Sequence, residues 1–483
     1  MIQTFVNAWK VPELRKKLLF TLMIVLLYRI GANLVIPYVD VATIAGQNAI
    51  SSDGIFGLLS LMSGGAFSQA TFFALSVSPY ITASIVIQLL SIAIPALERM
   101  SKDEAGQKKL ASATRWVTVG LAIITAYGYV NLLNSYGLLT DSATYVRGQE
   151  SKTYIFAWIV MIACLCAGAS LIMWLAEKIN DHGIGNGISI ILFANIISGM
   201  TSTIQSTIAM LKDDFGEWLT GWELVLGIVG VIASVALALG AIVLIVWFTN
   251  SERRIKVIYA KRVVGRKTYG GQKTNLPLKM NMAGVMPVIF SSSIVSIPAT
   301  IAAFLQPEYT FGCTHSAKCT LEVNWFYEFT QKWLYCSDAQ YIHHMKDCCG
   351  IDLVAGPKPL YIILFIALVV AFSYFYIAIS FNPVEVANNI RNNGGAIIGI
   401  RPQEMAPFIK KILNRVTLMG AIFLVVIAGA PLIVSAVVAA VDGNFNSLAF
   451  TGTSLLIAVG VALEVVRDLE AQLSMRNYKG FLD

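Results

Sequence analysis

Charge is what this sequence has least of. Only 13% of its 483 residues are Asp, Glu, Lys or Arg, and histidine occurs four times; a soluble domain carries about 25% charged residues. Neither His-Glu-x-x-His nor Gly-x-Ser-x-Gly occurs anywhere. In GRKTYGGQKT, Gly271 stands where a P-loop needs its lysine. The glycines at 183, 185 and 187 lack the spacing and the preceding strand of a dinucleotide fingerprint. No histidine lies in an apolar run. The sequence therefore offers no catalytic constellation, no nucleotide site and no cofactor site, and any work the protein does must draw energy from a partner. No internal repeat is apparent.

Apolar residues, by contrast, make up 56% of the chain, with mean hydropathy +0.69. Ten runs of about twenty residues are long enough to cross a bilayer core: 18–36, 72–94, 116–136, 154–175, 188–210, 224–248, 282–304, 360–380, 416–438 and 448–465. The first follows Lys10, Arg15, Lys16 and Lys17 as a signal peptide would. It is too long for a signal core and no small-residue cleavage site follows, so it is read as a membrane helix. If the N-terminus is cytoplasmic, 27 of the 35 Lys and Arg fall in cytoplasmic segments. That imbalance puts both termini in the cytoplasm. Ten spans also divide five and five, at 1–210 and 211–483, with the second half inverted.

Five cysteines (Cys313, Cys319, Cys336, Cys348, Cys349) cluster in an outward loop at 305–359. Disulfides or inert thiols fit them. No Cys-x-x-Cys pair is present, and no metal site is expected. Cys164 and Cys166 read as small packing residues in the fourth helix.

Four segments carry mechanism. Residues 53–68, DGIFGLLSLMSGGAFS, are apolar but short and broken by glycine, which suits a re-entrant piece, a buried cap or an amphipathic connector. The second run holds Pro79, which predicts a bend, and Ser78, Thr82, Ser84 and Gln88, which should face other helices. The seventh is similar, with Asn281, Gly284, Pro287, Ser291 to Ser293 and Pro298. In the turn at 183–187 the three glycines permit positive φ and close backbone approach, and Asn186 tolerates the left-handed region. Finally, 251–280 packs nine Lys and Arg against Glu252 alone. Ile255, Val257 and Tyr259 alternate with Arg254, Lys256 and Ile258, which predicts a half-exposed strand in a cytoplasmic hairpin suited to an anionic partner. A second cytoplasmic loop, 381–415, carries Gly399-Ile400-Arg401-Pro402.

FALSVSPYITASIVIQLL, WLAEKINDHGIGNGISIIL, YAKRVVGRKTYGGQKTNLPLKMNMAGVMPVIF, FNPVEVANNIRNNGGAIIGIRP and GTSLLIAVGVALEVVRDLEAQLSMRNYKGFL, in this order, resemble the SecY family of protein-conducting channels. The resemblance implies an all-α polytopic membrane protein, with ten transmembrane helices in two pseudo-symmetric, inverted five-helix halves. These form a clamshell around an hourglass pore. It implies a pore ring of Val77, Ile81, Ile188, Leu192, Ile289 and Ile457. A plug near 55–67 would include Ile55, Phe56, Leu58, Leu59, Leu61, Met62, Gly64, Gly65 and Phe67. Helices two and seven would face each other at a lateral gate, with Gln88 and Asn281 as polar gate contacts. Arg266 and Lys267 at the hairpin tip (loop 249–280) and Arg401 in loop 381–415 would dock the ribosome or the SecA ATPase. Implied partners also include SecE, SecG, signal-bearing preproteins and membrane lipids, in a bacterial plasma membrane. The family usually has glycine where this chain has Ser76, a change expected to alter the flexibility of helix two little. The competing class is a secondary transporter with inverted repeats; it expects ionisable residues at midmembrane depth, and the spans hold almost none beyond Arg29.

Overall fold

The computed structural model describes residues 2–40, 60, 63–135, 137–140, 152–209, 222–259, 262–264, 267–269, 273–304, 325–336, 356–441 and 451–479. Each of the ten apolar runs overlaps a helix. In chain order these are α2 (Pro12–Gly31), α3 (Ser78–Ala93), α5 (Glu104–Ser135), α6 (Lys152–His182), α7 (Gly187–Ala209) and α8 (Trp222–Asn250). They continue with α9 (Met286–Phe304), α11 (Pro359–Ser380), α13 (Met405–Val441) and α14 (Thr451–Lys479). Shorter helices are α1 (Ile2–Lys10), α4 (Pro95–Lys102), α10 (Trp325–Phe329) and α12 (Pro383–Asn392). By length and hydropathy alone, four helices among the described residues can each cross a bilayer. The pair α3 and α4, which turns through 112° at the joint before Pro95, could make a fifth.

The three largest clusters of buried side chains are two outer ones and a central one. The first outer cluster draws only on N-terminal elements, around Leu133, Met161 and Leu165; the second draws only on C-terminal ones, around Val288, Phe365 and Leu424. The central cluster takes residues from both, among them Tyr28, Ile81, Leu192, Ile289 and Ile457. Outward faces of α5, α6 and α8 remain apolar: Ile124, Phe156 and Val243 are exposed, as lipid-facing residues are. Cys164 and Cys166 are free and pack against the N-terminal cluster. Cys336 lies in β5 (Tyr335–Cys336), a two-residue strand paired with β6 (Gly356–Pro357), and the other four cysteines of 305–359 lie outside the described residues.

Three expectations change and a fourth narrows. The second membrane helix does not begin near residue 72. Residues 64–77 form consecutive turns, and α3 starts only at Ser78. Pro79 accordingly sits in the first turn, where its missing N–H costs nothing and its fixed φ favours the helix start, so it does not bend α3. Ser76 is not helical either: it is buried at φ +51°, in the left-handed region, which costs a side-chain-bearing residue about 1–2 kcal/mol. Glycine would be free of that cost, so the serine bears on backbone strain rather than on helix flexibility. In the turn before α7 only Gly185 has positive φ (+71°). Gly187 is needed for close approach, since a Cβ there would lie 2.0 Å from the Ala176 carbonyl oxygen. Asn186 serves as an N-cap, its Oδ1 accepting from the Ile188 N–H at 3.1 Å.

The predicted strand is β1 (Glu252–Tyr259), with Ile255 and Val257 buried and its arginines exposed. It pairs antiparallel with β4 (Lys273–Lys279), while β2 (Arg262–Val264) and β3 (Lys267–Tyr269) form a separate antiparallel pair between them in sequence. The second loop joins this hairpin: β7 (Gly395–Ile397) adds to the other edge of β1, giving the order β4-β1-β7. Beneath the sheet, Ile390 of α12 and Met405 and Ile409 of α13 complete a small core with Ile255, Val257, Leu278 and Ile397. Asn382 caps α12 by accepting from the Val384 N–H at 3.1 Å, and Pro383 occupies the first helical position.

Candidate functional site

The centre of the molecule is the meeting of α3, α7, α9 and α14. Val77, at the N-cap of α3, and Ile81, one turn later, point into the central cluster together with Leu192 of α7, Ile289 of α9 and Ile457 of α14. All five are buried, and Ile188 of α7 is partly buried against them. Six aliphatic side chains from four helices thus meet in one apolar cluster. A ring of such side chains around a passage excludes ions by dewetting and offers no hydrogen bond to anything threading it.

Two cavities adjoin this ring and share Asn186, Ser189, Met286, Ile289 and Tyr376. The smaller, about 160 Å³, lies between α3 and α9 and includes Ile81, Ser84, Gln88, Leu192 and Phe290. The larger, about 440 Å³, is more polar, with Thr249, Lys279, Asn281, Glu464, Arg467 and Asp468 on its wall. The two polar gate candidates therefore line different cavities. Gln88 donates to the Ser84 hydroxyl at 3.3 Å. Asn281 is buried, and its amide oxygen has no hydrogen-bond partner among the described residues, so it is free to accept from an occupant. Burial, then the Arg467 guanidinium, pull the Lys279 ammonium below its ordinary pKa, with Glu252 opposing.

The hydroxyls of α9 are spent locally. Ser291 donates to the Pro287 carbonyl, Ser292 and Ser293 to that of Ile289, and Ser296 to that of Ser293. These four buried serines therefore leave no orphaned hydroxyl donors.

Of the segment expected to plug the ring, Ile55, Phe56, Leu58, Leu59, Leu61 and Met62 lie outside the described residues. Gly64 and Gly65 are described, at φ +66° and +89°. Phe67 is buried, and its carbonyl accepts from the Tyr129 hydroxyl at 2.5 Å. Arg29 reaches this segment: its guanidinium donates to the Ala194 carbonyl of α7 and lies against Gly64. Arg266 is outside the described residues, and Lys267 opens β3. Arg401 is exposed in the turn between β7 and α13, which the Glu404 N–H closes on the Arg401 carbonyl at 2.9 Å.

A family model described as SecY matches residues 71–466, which include all six of those aliphatic residues. The chain belongs to the SecY family. Relatives named protein translocase subunit SecY from Streptomyces coelicolor and Mycobacterium tuberculosis are 41% and 37% identical to it, each over 100% of both chains. Among solved structures, one described as a protein-conducting channel superposes with a TM-score of 0.57 at 17% identity, covering 96% of each chain. Sec61 from a canine ribosome–channel complex does so with a TM-score of 0.51 at 16% identity, again over 96% of each. At those identities the likeness concerns the fold, a SecY-type membrane channel fold.

Sequence reasoning missed Asn186, Ser189, Tyr376 and Phe290 as cavity residues. Three of these sit in strongly apolar helices, and their composition gives no sign of which face they occupy. Asn186 alone carried a signal, a polar residue among glycines at a helix start.

Proposed function

We propose that this chain is the central pore-forming subunit of a Sec-type protein translocase. It passes unfolded secretory proteins across the membrane and releases apolar segments into lipid between α3 and α9. The observation that carries this reading is the gathering of Val77, Ile81, Ile188, Leu192, Ile289 and Ile457 into one cluster beside two adjoining cavities. A ring of this chemistry yields to any unfolded chain and favours none. Full-length relatives named as translocase subunits support the same function.

In this reading ten helices cross a bacterial plasma membrane with both termini cytoplasmic. Residues 1–210 and 211–483 form inverted halves of a clamshell, 55–67 plug the ring, and Gln88 and Asn281 meet the passing segment at the gate. SecE and SecG complete the channel. The ribosome or the SecA ATPase docks on the cytoplasmic sheet and the Arg401 turn and supplies the energy, since the channel itself catalyses no reaction. That Sec61 and another channel have been described bound to ribosomes supports the docking role. In vesicles holding the purified chain with SecE, addition of SecA, ATP and an unfolded preprotein is expected to protect the preprotein from external protease. Absence of protection overturns the proposal. Arg401→Glu is expected to abolish protection while the complex still assembles.

A further inference from the structure

Beyond the ring, the clearest unassigned feature is a pair of adjacent side chains on α14 that reach in different directions. Arg467 Nη2 donates to the Thr249 carbonyl at 2.7 Å and to Asn250 Oδ1 at 2.9 Å. Those residues end α8, and only Ser251 separates them from β1. A guanidinium there satisfies a terminal carbonyl and complements the helix dipole. Asp468 Oδ2 accepts from the Gly185 N–H at 2.9 Å, in the turn between α6 and α7, and from Gln472 Nε2 at 3.2 Å. Gln472 in turn accepts from Lys17 of α2 at 3.3 Å. The larger cavity is walled on one side by Thr249 and Lys279, at the root of the sheet, and on the other by Asn186 and Ser189, at the start of α7. Across that space, Arg467 and Asp468 tie the two walls to one rigid helix. That same helix carries Ile457, while Gly185 lies just before Ile188 on the helix that carries Leu192.

We propose that Arg467 and Asp468 are positioning residues that couple the cytoplasmic sheet to the pore-lining helix α7. A displacement of β1 and β4 moves the end of α8, is taken up by Arg467, and reaches the Gly185 turn through Asp468. Charge-assisted bonds at both ends, one to a helix terminus and one to a backbone N–H, make the link stiff. The coupling rests on the docking function proposed above.

The test uses the complete channel complex in planar bilayers and vesicles, reading SecA binding and SecA-induced ion conductance separately. Arg467→Ala and Asp468→Ala are each expected to leave SecA binding within about twofold and to lower the SecA-induced conductance about tenfold, the size of a typical coupling loss. Because the two residues act in series, the double variant should be no worse than either single one. Arg467→Lys, which keeps one donor and the charge, should recover part of the response. It also serves, with Asp468→Asn, should the alanine variants fail to assemble. A full conductance response in the variants overturns the coupling, as do additive losses in the double variant. Equal loss of binding and response assigns the pair a merely structural role and overturns it too. If the unaltered complex shows no response to SecA, the docking function itself falls.

Discussion

The approaches to α3 and α9 are built alike. Ser76-Val77-Ser78-Pro79 leads into one helix and Gly284-Val285-Met286-Pro287 into the other. Each begins with a left-handed residue (φ +51° and +65°) and places proline in the first turn, and each puts an isoleucine of the ring, Ile81 or Ile289, two residues after the proline. The difference lies in what surrounds the left-handed residue. Ser76 is buried, and its hydroxyl accepts from Asn195 of α7 at 3.4 Å. A Cβ added at Gly284 would meet nothing within 4 Å, and the residue borders the larger cavity. One approach is locked against its neighbours; the other faces open space. The same local chain path thus serves a fixed wall on one side and a yielding one on the other.

Four substitutions would break or sharpen this correspondence. The largest effect is expected from Ile81→Asn and Ile289→Asn, each of which brings an amide into the dewetted ring. Ion flux through the idle channel, measured in vesicles, should rise on the order of tenfold in both. A leak from one alone would show that the correspondence stops short of the pore. Next is Gly284→Ala. Although there is room for the methyl group, the left-handed backbone should cost about 1–2 kcal/mol, seen as a lower unfolding temperature of the purified complex. No shift would mean that this turn relaxes freely. The smallest effect is expected from Ser76→Gly, which relieves backbone strain but gives up the Asn195 contact and adds unfolded-chain entropy. The net gain should be below about 1 kcal/mol, and a clear loss would show that the hydroxyl contact outweighs the strain.

How legible these features were in the sequence follows from the forces that shape them. Runs of apolar residues report the need to leave water, so all ten long runs overlapped helices. The alternation at 254–259 reported a half-buried strand for the same reason. The left-handed turns at Ala70 and Ser76 leave no such mark, because neither residue is the glycine that usually announces positive φ. The start of α3 was therefore placed several residues early. The likeness of the Pro79 and Pro287 segments showed in their prolines and polar residues, but their shared left-handed approach did not, because only one of its two left-handed positions is glycine. The joining of β7 to β1 pairs Val257 with Ile397, far apart in sequence, where local pattern carries no information. For the ring, composition could not separate Leu192 or Ile457 from ordinary packing. Resemblance to a family named them, and the folded chain brings them together.

The serines of α9 have one more consequence. A hydroxyl bonded to a carbonyl of its own helix can hold that bond beside an acyl chain or trade it for water by a single χ1 rotation. The buried serines of α9 therefore satisfy their hydroxyls in a dry setting and could do so equally in a wetted one. A helix of that kind can border oil at one moment and an aqueous passage at the next without being rebuilt.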